Sequence, residues 1–294
     1  MRYLLIYIFV IIIIYWSVTI VRTPPTNFPV GEIFLVDEGE SLRSVSKRLE
    51  DKHIIKSAIL FRVWLSFEGK DKNLQLGYYT FDKPLVLGAV LKRMTVTGPD
   101  MPLTKATIPE GSTSKEIATI IKNVLPSISI DKFMQIVSDK KADGYLFPST
   151  YFLLPSSDEE KIIDKMLANF NKEYDENFKY RIIPKDLKDK NEIISLAAIL
   201  EGEAKSKEDM KIVSGILQKR LALNMALQVD VAPETYKTKG VPIIPVSNPG
   251  SVAITSVFEP TSTGYLFYLT GRDGKMYYAK TFAEHKVNIK KYLK

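Results

Sequence analysis

The chain contains no cysteine and only two histidines, His53 and His285, among its 294 residues. The lack of cysteine excludes disulfides, thiolate metal sites and a cysteine nucleophile. Neither histidine belongs to a metal-ligand spacing such as HExxH. A serine–histidine triad would have to use one of these two residues, which lie far apart in the sequence. We therefore expect a functional site without a metal ion or a cofactor.

Charge of one sign is not concentrated anywhere along the chain. The formal net charge is +7, with 26% charged and 45% hydrophobic residues. A basic balance favours an anionic partner such as a cell wall, a membrane surface or a nucleic acid, and does not choose among them. The composition is typical of a folded protein, and the length allows one to three domains.

A long uncharged run, Tyr3–Val21, follows directly after Arg2. A helix needs ~20 apolar residues to cross a hydrocarbon core of ~30 Å, and this run has that length. A cleaved signal peptide is the alternative, but the run exceeds the usual hydrophobic region of about 7–15 residues and no A-x-A-like site follows. We predict a single-pass anchor over 1–22 in the cytoplasmic membrane. Because Arg2 and the terminal amine precede the run, the amino terminus is expected inside and the rest of the chain on the outer face.

The residues after the anchor predict a linker and then a small α+β module. The stretch 23–30 contains three prolines and is typical of a stiff extended spacer. Within 31–98, short apolar strands alternate with capped helices. One helix, Ser57–Phe67, places Ile59, Leu60, Val63 and Trp64 on one apolar stripe. The residues that follow, 99–294, are predicted to form a larger α+β domain.

A strand–turn–helix pattern occurs twice. Val36-Asp-Glu-Gly-Glu-Ser41 is followed by Ile108-Pro-Glu-Gly-Ser-Thr113 at a matching position in the second domain. Thr113 and Glu116 have the spacing of a capping box, which satisfies free amides at a helix start. The simplest interpretation is a recurrent way to build a strand–helix corner, with Glu110 as a turn residue.

Two carboxylates, Glu201 and Glu203, end an apolar helix predicted over Glu192–Leu200. At about 100° per residue they lie roughly 200° apart, so they cannot point the same way. Glu203 shares a face with Ile199, and apolar surroundings raise the pKa of a carboxyl group. Such a group can act as a general acid near neutral pH. Spacing alone does not choose between the two glutamates, and a solvated charge cluster at the helix end is the alternative.

Two further segments carry candidate binding residues. Gln228 and Asp230, at i and i+2, would project to the same side of an extended segment and could bind sugar hydroxyls; a polar loop is the alternative. Tyr145 and Tyr151 lie in or beside the Gly144-Tyr-Leu-Phe-Pro148 loop, where aromatic rings could stack on sugars. Aromatic residues are more often part of a core than of a binding surface.

Taken together, these motifs resemble the YceG-like endolytic murein transglycosylases from the membrane segment to the carboxyl end. The matching pieces occur in the family's order: Ile108-Pro-Glu-Gly111, Asp143-Gly-Tyr-Leu-Phe-Pro-Ser-Thr-Tyr151, Leu196-Ala-Ala-Ile-Leu-Glu-Gly-Glu203, Arg220-Leu221, Leu227-Gln-Val-Asp230, Ser247-Asn-Pro-Gly250 and Lys280-Thr-Phe-Ala-Glu-His285. The first module is similar to the family's LysM-like domain.

The resemblance implies an enzyme, a lyase that cuts peptidoglycan glycan strands between N-acetylmuramic acid and N-acetylglucosamine without adding water. The products carry 1,6-anhydro ends, and the activity would limit the length of nascent strands. The family's essential glutamate falls on Glu203. The resemblance places Glu201, Gln228, Asp230 and Asn248 with it in substrate binding. It also implies partners in the wall-synthesis machinery and none among nucleic acids.

The chain departs from the family pattern after Asp230. Val231 replaces the family's proline, and Pro233-Glu-Thr-Tyr236 follows without the family's loop of roughly two dozen residues, a length at which loops are often functional. The wall near Asp230 is therefore expected to be shorter. Two alternatives stay open on the sequence: an inactive, membrane-tethered wall-binding or scaffold protein, and an ordinary hydrolase that uses Glu203 with a second carboxylate such as Asp230.

Overall fold

The protein is a mixed α+β structure in which helices predominate and the sheets are small, as seen in a computed structural model that describes residues 21–37, 39–70 and 73–293. The chain divides into two compact units. One comprises the described residues up to Lys105 together with Phe152–Ser156, and the other comprises Ala106–Tyr151 and the described residues from Ser157 onward.

The predicted membrane segment falls almost entirely on residues 1–20, which lie outside the described ranges. Within those ranges, no helix combines the length and the apolar character that crossing a bilayer requires.

The first unit contains a three-stranded antiparallel sheet in the order β1-β2-β3. Its strands are β1 (Phe34–Val36), β2 (Gly77–Tyr79) and β3 (Met101–Pro102), and its helices are α1 (Leu42–Asp51), α2 (Ala58–Phe67) and α3 (Leu87–Lys92), the last continuing as a π-helix over Arg93–Thr97. Phe34 lies opposite Tyr79, and Tyr78 lies opposite Met101. The strand β3 begins beyond residue 98, so this sheet extends past the boundary predicted from the sequence.

Local signals fix where the helices of the first unit begin. The Ser41 hydroxyl accepts the amide of Ser44 at 3.1 Å, and the Ser57 hydroxyl accepts the amide of Leu60 at 3.3 Å. These contacts satisfy amides that a helix start leaves free. The predicted stripe of α2 is confirmed only in part: Leu60 and Trp64 are partly buried against the core, whereas Ile59 and Val63 are exposed. The fully buried residues of α2 are Ala58, Phe61 and Leu65.

The second unit is mostly helical. Its helices are α4 (Ser114–Val124), α5 (Ile130–Lys140), α6 (Glu159–Asn177), α7 (Lys190–Glu203), α8 (Lys207–Ala222), a 3-10 turn over Pro233–Tyr236, α9 (Ser251–Phe258) and α10 (Phe282–Tyr292). Its hairpin consists of β6 (Phe267–Thr270) and β7 (Met276–Ala279), paired so that Tyr268 lies opposite Tyr278. A further two-stranded pair consists of β4 (Thr104–Thr107) and β5 (Thr150–Leu153).

The core of the second unit forms around α7. Helices α8 and α9 pack against it, and every residue from Ile193 to Leu200 is buried. The predicted capping box at the start of α4 is confirmed: the Thr113 hydroxyl accepts the amide of Glu116, and the Glu116 carboxylate accepts the amide of Thr113. In the turn between β6 and β7, Gly274 has a φ of 76°, a conformation that favours glycine.

Candidate functional site

The helix α7 carries the two predicted carboxylates at its end. Asp189 caps its start by accepting the amide of Glu192 at 2.9 Å. The helix is buried on all sides until it reaches Glu201, and the chain becomes extended at Ala204. Glu201 and Glu203 therefore lie at the end of a largely apolar helix, where their surroundings differ.

Glu203 projects into a cleft. One carboxyl oxygen, Oε1, is buried and has no hydrogen-bond partner among the described residues. Burial raises the pKa of this carboxyl above its ordinary value, and the negative charge of Asp230 adds to the effect. The backbone amides of Val231 and Asp230 and the hydroxyl of Tyr268 act in the opposite direction. Because the raising effect dominates, Glu203 retains a proton to higher pH than an exposed glutamate does.

The cleft has a volume of about 530 Å³ and belongs entirely to the second unit. Its polar lining consists of Glu203, Arg220, Gln228, Asp230, Tyr236, Tyr268, Thr270 and His285. Apolar and aromatic residues complete it: Phe267, Leu269, Phe282, Ile289 and Leu293. Apolar walls with a few convergent polar groups are typical of a ligand site.

Gly202 allows the cleft wall to approach the helix end closely. A Cβ at this position would lie 2.6 Å from Cγ1 of Val231, a distance too short for any side chain. The glycine between the two glutamates therefore lets the segment that carries Asp230 and Val231 sit against the tip of α7. This contact brings Glu203 and Asp230 to the same cleft.

The segment around Gln228 is not extended, and the prediction of its geometry is wrong. Gln228 has a φ of 50°, in the left-handed region, and the chain turns back on itself. The buried Thr235 hydroxyl holds this turn by accepting the amide of Val229 at 3.1 Å and donating to the carbonyl of Ala232 at 2.6 Å. The Tyr236 hydroxyl donates to Asp230 at 2.7 Å. The turn still presents both Gln228 and Asp230 to the cleft.

Arg220 is a cleft residue to which the sequence reasoning gave no role. Its side chain is buried, with Nε donating to the carbonyl of Leu266 at 2.8 Å and a terminal nitrogen donating to the carbonyl of Leu227 at 2.6 Å. Burial lowers its pKa, although a guanidinium stays charged. The sequence contains a signal for the burial of Arg220, because this residue lies at helical spacing from Val213 and Leu217 on the buried face of α8.

The helix α10 and strand β6 form an aromatic side of the cleft. The His285 ring stacks on Phe267 with centroids 5.5 Å apart, and Phe282 lies 5.8 Å from Phe267. His285 Nδ1 is buried without a hydrogen-bond partner among the described residues. Burial lowers the pKa of this imidazole, and the nearby charge of Arg220 lowers it further, so the ring is neutral near pH 7.

Glu201 lies on the other side of the helix tip and does not line the cleft. Its carboxylate accepts the amide of Gly250 at 3.0 Å. Its Cγ lies 3.0 Å from the position that a Cβ on Gly111 would take, so the turn containing Glu110 packs over it. Burial raises the pKa of Glu201, and the charge of Glu110 contributes. This carboxylate joins two turns of the framework.

Asn248 is buried and also lies outside the cleft lining. Its Oδ1 accepts the amide of Leu146 at 2.8 Å, and its Nδ2 donates to the carbonyl of Ser112 at 2.9 Å. Its backbone carbonyl accepts the amide of Gly111 at 2.9 Å. The side chain therefore connects three segments that are distant in sequence.

Neither Tyr145 nor Tyr151 lines the cleft: Tyr151 is buried, and Tyr145 is partly buried against the core of the second unit. The Tyr145 hydroxyl donates to Asn191 at 3.0 Å, its ring lies edge-on to Phe170, and burial raises its pKa to about 12. The Tyr151 hydroxyl donates to the carbonyl of Phe147 at 2.6 Å. Both contacts are those of core tyrosines with satisfied hydroxyls.

The cleft thus combines a carboxyl with a raised pKa with hydroxyl, amide and guanidinium groups. Within the described residues, no group of three or more potential metal ligands exists. The chemistry that this arrangement supports is proton transfer from and to Glu203.

Comparisons with known proteins agree with this architecture. Proteins named endolytic murein transglycosylase are 27% identical over 319 residues in Streptococcus pneumoniae and 25% identical over 305 residues in Bacillus subtilis. The alignments cover 86% and 88% of this chain. The chain spans only 57% of the streptococcal relative and 84% of the Bacillus relative.

A crystal structure of a YceG-like protein from Listeria monocytogenes has a similar fold, with a TM-score of 0.56 at 23% identity. The likeness covers 87% of this chain and 98% of that one. The sequence model of the YceG-like family matches residues 34–233 and 234–291, and it breaks at the short connection that follows Asp230. With these two matches covering most of its length, the chain belongs to the YceG-like family.

Proposed function

We propose that this protein is an endolytic peptidoglycan lytic transglycosylase that cleaves bonds between N-acetylmuramic acid and N-acetylglucosamine. The observation that carries the proposal is Glu203, a buried carboxyl with a raised pKa and an unpartnered oxygen in a cleft. The names of the streptococcal and Bacillus relatives support the substrate class. Cleavage inside nascent strands would limit their length.

A single carboxyl suffices for this reaction. Glu203 donates its proton to the glycosidic oxygen as the bond to the anomeric carbon breaks. The C6 hydroxyl of the same muramic residue then forms a bond to that carbon and gives its proton to the Glu203 carboxylate. No water is consumed, and the enzyme returns to its starting state. Because the nucleophile belongs to the substrate, its effective concentration is high.

The other predicted residues fall into two groups. Gln228 and Asp230 line the cleft, and we assign them to the binding of sugar hydroxyls. Glu201, Asn248, Tyr145 and Tyr151 hold framework segments together through the hydrogen bonds described above, and we assign them an indirect role.

We further propose that residues 1–22 anchor the protein in the cytoplasmic membrane, with both units on the outer face, where peptidoglycan lies. The basis is the uncharged run Tyr3–Val21 behind Arg2. In this arrangement the first unit would act as a LysM-like module that binds wall glycan, and partners from the wall-synthesis machinery would act on the same strands.

The test is the chemical identity of the products. Full-length protein in detergent is incubated with isolated glycan strands, and the released fragments are analysed by mass spectrometry. We expect 1,6-anhydro ends from the parent protein and from Glu192→Gln, a control at the opposite end of α7 whose carboxylate accepts the amide of Lys188 at 2.7 Å. We expect none from Glu203→Gln.

Other outcomes would select another function. Reducing ends instead of anhydro ends would indicate a hydrolase in which a second carboxylate such as Asp230 activates water. Binding to wall material without any cleavage would indicate a tethered scaffold, an alternative favoured by the short connection between Asp230 and Tyr236.

A further inference from the structure

Three buried side-chain nitrogen or oxygen atoms of the described residues lack a hydrogen-bond partner, and all three belong to residues that line the cleft: Glu203 Oε1, the Tyr268 hydroxyl and His285 Nδ1. Buried polar groups in folded proteins are almost always partnered, because an unpartnered one forfeits its hydration. Three such atoms from three different elements in one cleft are not explained by packing. They indicate that these groups acquire partners during function.

Tyr268 is held rigidly beside Glu203. It lies within β6, where its backbone pairs with Tyr278 of β7. Its hydroxyl completes no hydrogen bond of normal geometry, yet it lies close enough to the Glu203 carboxyl to lower the pKa of that group. Burial and the charge of Glu203 raise the pKa of Tyr268 well above its usual value, so the phenol keeps its proton and remains able to donate it in a hydrogen bond.

We propose that Tyr268 is a positioning residue: its hydroxyl donates a hydrogen bond to Glu203 after that carboxyl has protonated the glycosidic oxygen, and holds the carboxylate ready to take the proton of the C6 hydroxyl. This inference rests on the proposed function. No bond to Tyr268 forms or breaks, and its proton stays on the phenol oxygen throughout. The contact is weak while Glu203 is protonated and strong once it is ionised, because hydrogen bonds to a charged acceptor are stronger.

The other groups that face Glu203 do not supply this contact. Asp230 is negatively charged and disfavours the ionised carboxyl, and the Tyr236 hydroxyl is already donated to Asp230. The Arg220 side chain already donates hydrogen bonds to two backbone carbonyls, and a neutral His285 adds no positive charge beside Glu203. The backbone amides of Val231 and Asp230 favour the ionised form. Among the described side chains that line the cleft, Tyr268 is the one whose hydroxyl lowers the pKa of Glu203 by hydrogen bonding.

The test compares Tyr268→Phe with Tyr278→Phe. Both changes remove one phenol oxygen from paired positions of the same hairpin, but the Tyr278 hydroxyl donates to Asp209 at 2.6 Å and does not line the cleft. For Tyr268→Phe we expect kcat to fall about tenfold or more, with little change in KM. For Tyr278→Phe we expect kcat, KM and the pH profile of the parent.

The pKa of Glu203 gives a readout that is independent of turnover. Carbon-13 NMR of labelled glutamate carboxyls, assigned by comparison with Glu203→Gln, follows its titration in the full-length protein. We expect Tyr268→Phe to raise this pKa and to move the alkaline limb of the kcat–pH profile to higher pH, because the ionised form loses a donor.

An unchanged pKa and kcat in Tyr268→Phe, or a rise in KM alone, would overturn the inference. A parent protein that releases no anhydro product would overturn the proposed function instead, and the NMR titration would still report whether the two side chains interact.

Discussion

The two glutamates at the end of α7 meet opposite surroundings although only Gly202 separates them. Glu201 packs under the turn of Glu110 and Gly111 and accepts the amide of Gly250. Glu203 enters an open cleft with an unpartnered oxygen. Burial raises the pKa of both carboxyls, so the pKa alone does not distinguish the framework glutamate from the one in the cleft. What distinguishes them is access to a ligand.

The largest expected difference between variants of Glu203 and of Glu201 is in enzymatic activity. We expect Glu203→Gln to lower the rate of anhydro-product release by about 100- to 10,000-fold, the usual contribution of a general acid–base group. Glu201→Gln, which can still accept the Gly250 amide, should stay within about tenfold of the parent. Initial rates on isolated glycan strands measure both. A larger loss in Glu201→Gln than in Glu203→Gln would reverse our assignment.

The free energy of unfolding should change most when a framework residue such as Asn248 is substituted. Asn248→Ala leaves the buried amide of Leu146 without its acceptor, whereas the Ser112 carbonyl keeps the backbone amide of Asn248. We expect a loss of about 1–3 kcal/mol in the free energy of unfolding, measured in urea. The exposed Asn177→Ala is the matched control and should change it by less than about 0.5 kcal/mol. Equal losses in the two variants would contradict the framework role of Asn248.

The pH dependence of stability should show the burial of Glu203. Its pKa is higher in the folded than in the unfolded state, so its contribution is fully present below the unfolded pKa and is lost as pH rises through the folded pKa. The free energy of unfolding of Glu203→Gln, relative to that of the parent, should therefore be higher at pH 8 than at pH 4. Urea unfolding of both proteins at the two pH values measures this difference.

Glu159→Gln serves as a control of opposite sign. The Ser129 amide and Lys132 lower the pKa of Glu159, so its contribution is present above the unfolded pKa and is lost as pH falls. This variant should lose stability relative to the parent at pH 8 more than at pH 4. The same trend in both variants would refute the contrast between the two carboxyls.

The smallest effect is expected at the turn of Gln228. Its φ of 50° is costly for a residue with a side chain, and glycine adopts this conformation without strain. We expect Gln228→Gly to raise the free energy of unfolding by less than about 1 kcal/mol. Gln228→Ala keeps the strain and removes only the amide. If Gln228 binds sugar hydroxyls, both variants should raise KM to a similar extent, and an unchanged KM in both would remove that role.

Local signals made much of the secondary structure predictable. Ser41, Ser57 and Thr113 each cap the helix that the sequence places after them. The hairpin of β6 and β7 follows from two short apolar runs around a glycine-containing turn. These signals lie within a few residues of the element that they define, so no knowledge of distant contacts is needed.

Predictions that required distant contacts were less accurate. Apolar residues surround α2, so periodicity could not show that Phe61 and Leu65, rather than Ile59 and Val63, face the core. Tyr268 and His285 join Glu203 only because the hairpin packs against the second unit's core and α10 packs against the hairpin. Their place in the cleft has no local signature in the sequence.

The helix α10 has a further consequence. It contributes Phe282, His285 and Ile289 to the cleft and yet contains no fully buried residue, so the core of the second unit does not depend on its side chains. Substitutions along it could reshape the aromatic side of the cleft without unfolding the domain that supplies Glu203. Under the proposed function, α10 is the place where glycan preference would change in evolution or engineering while Glu203 and its surroundings stay as they are.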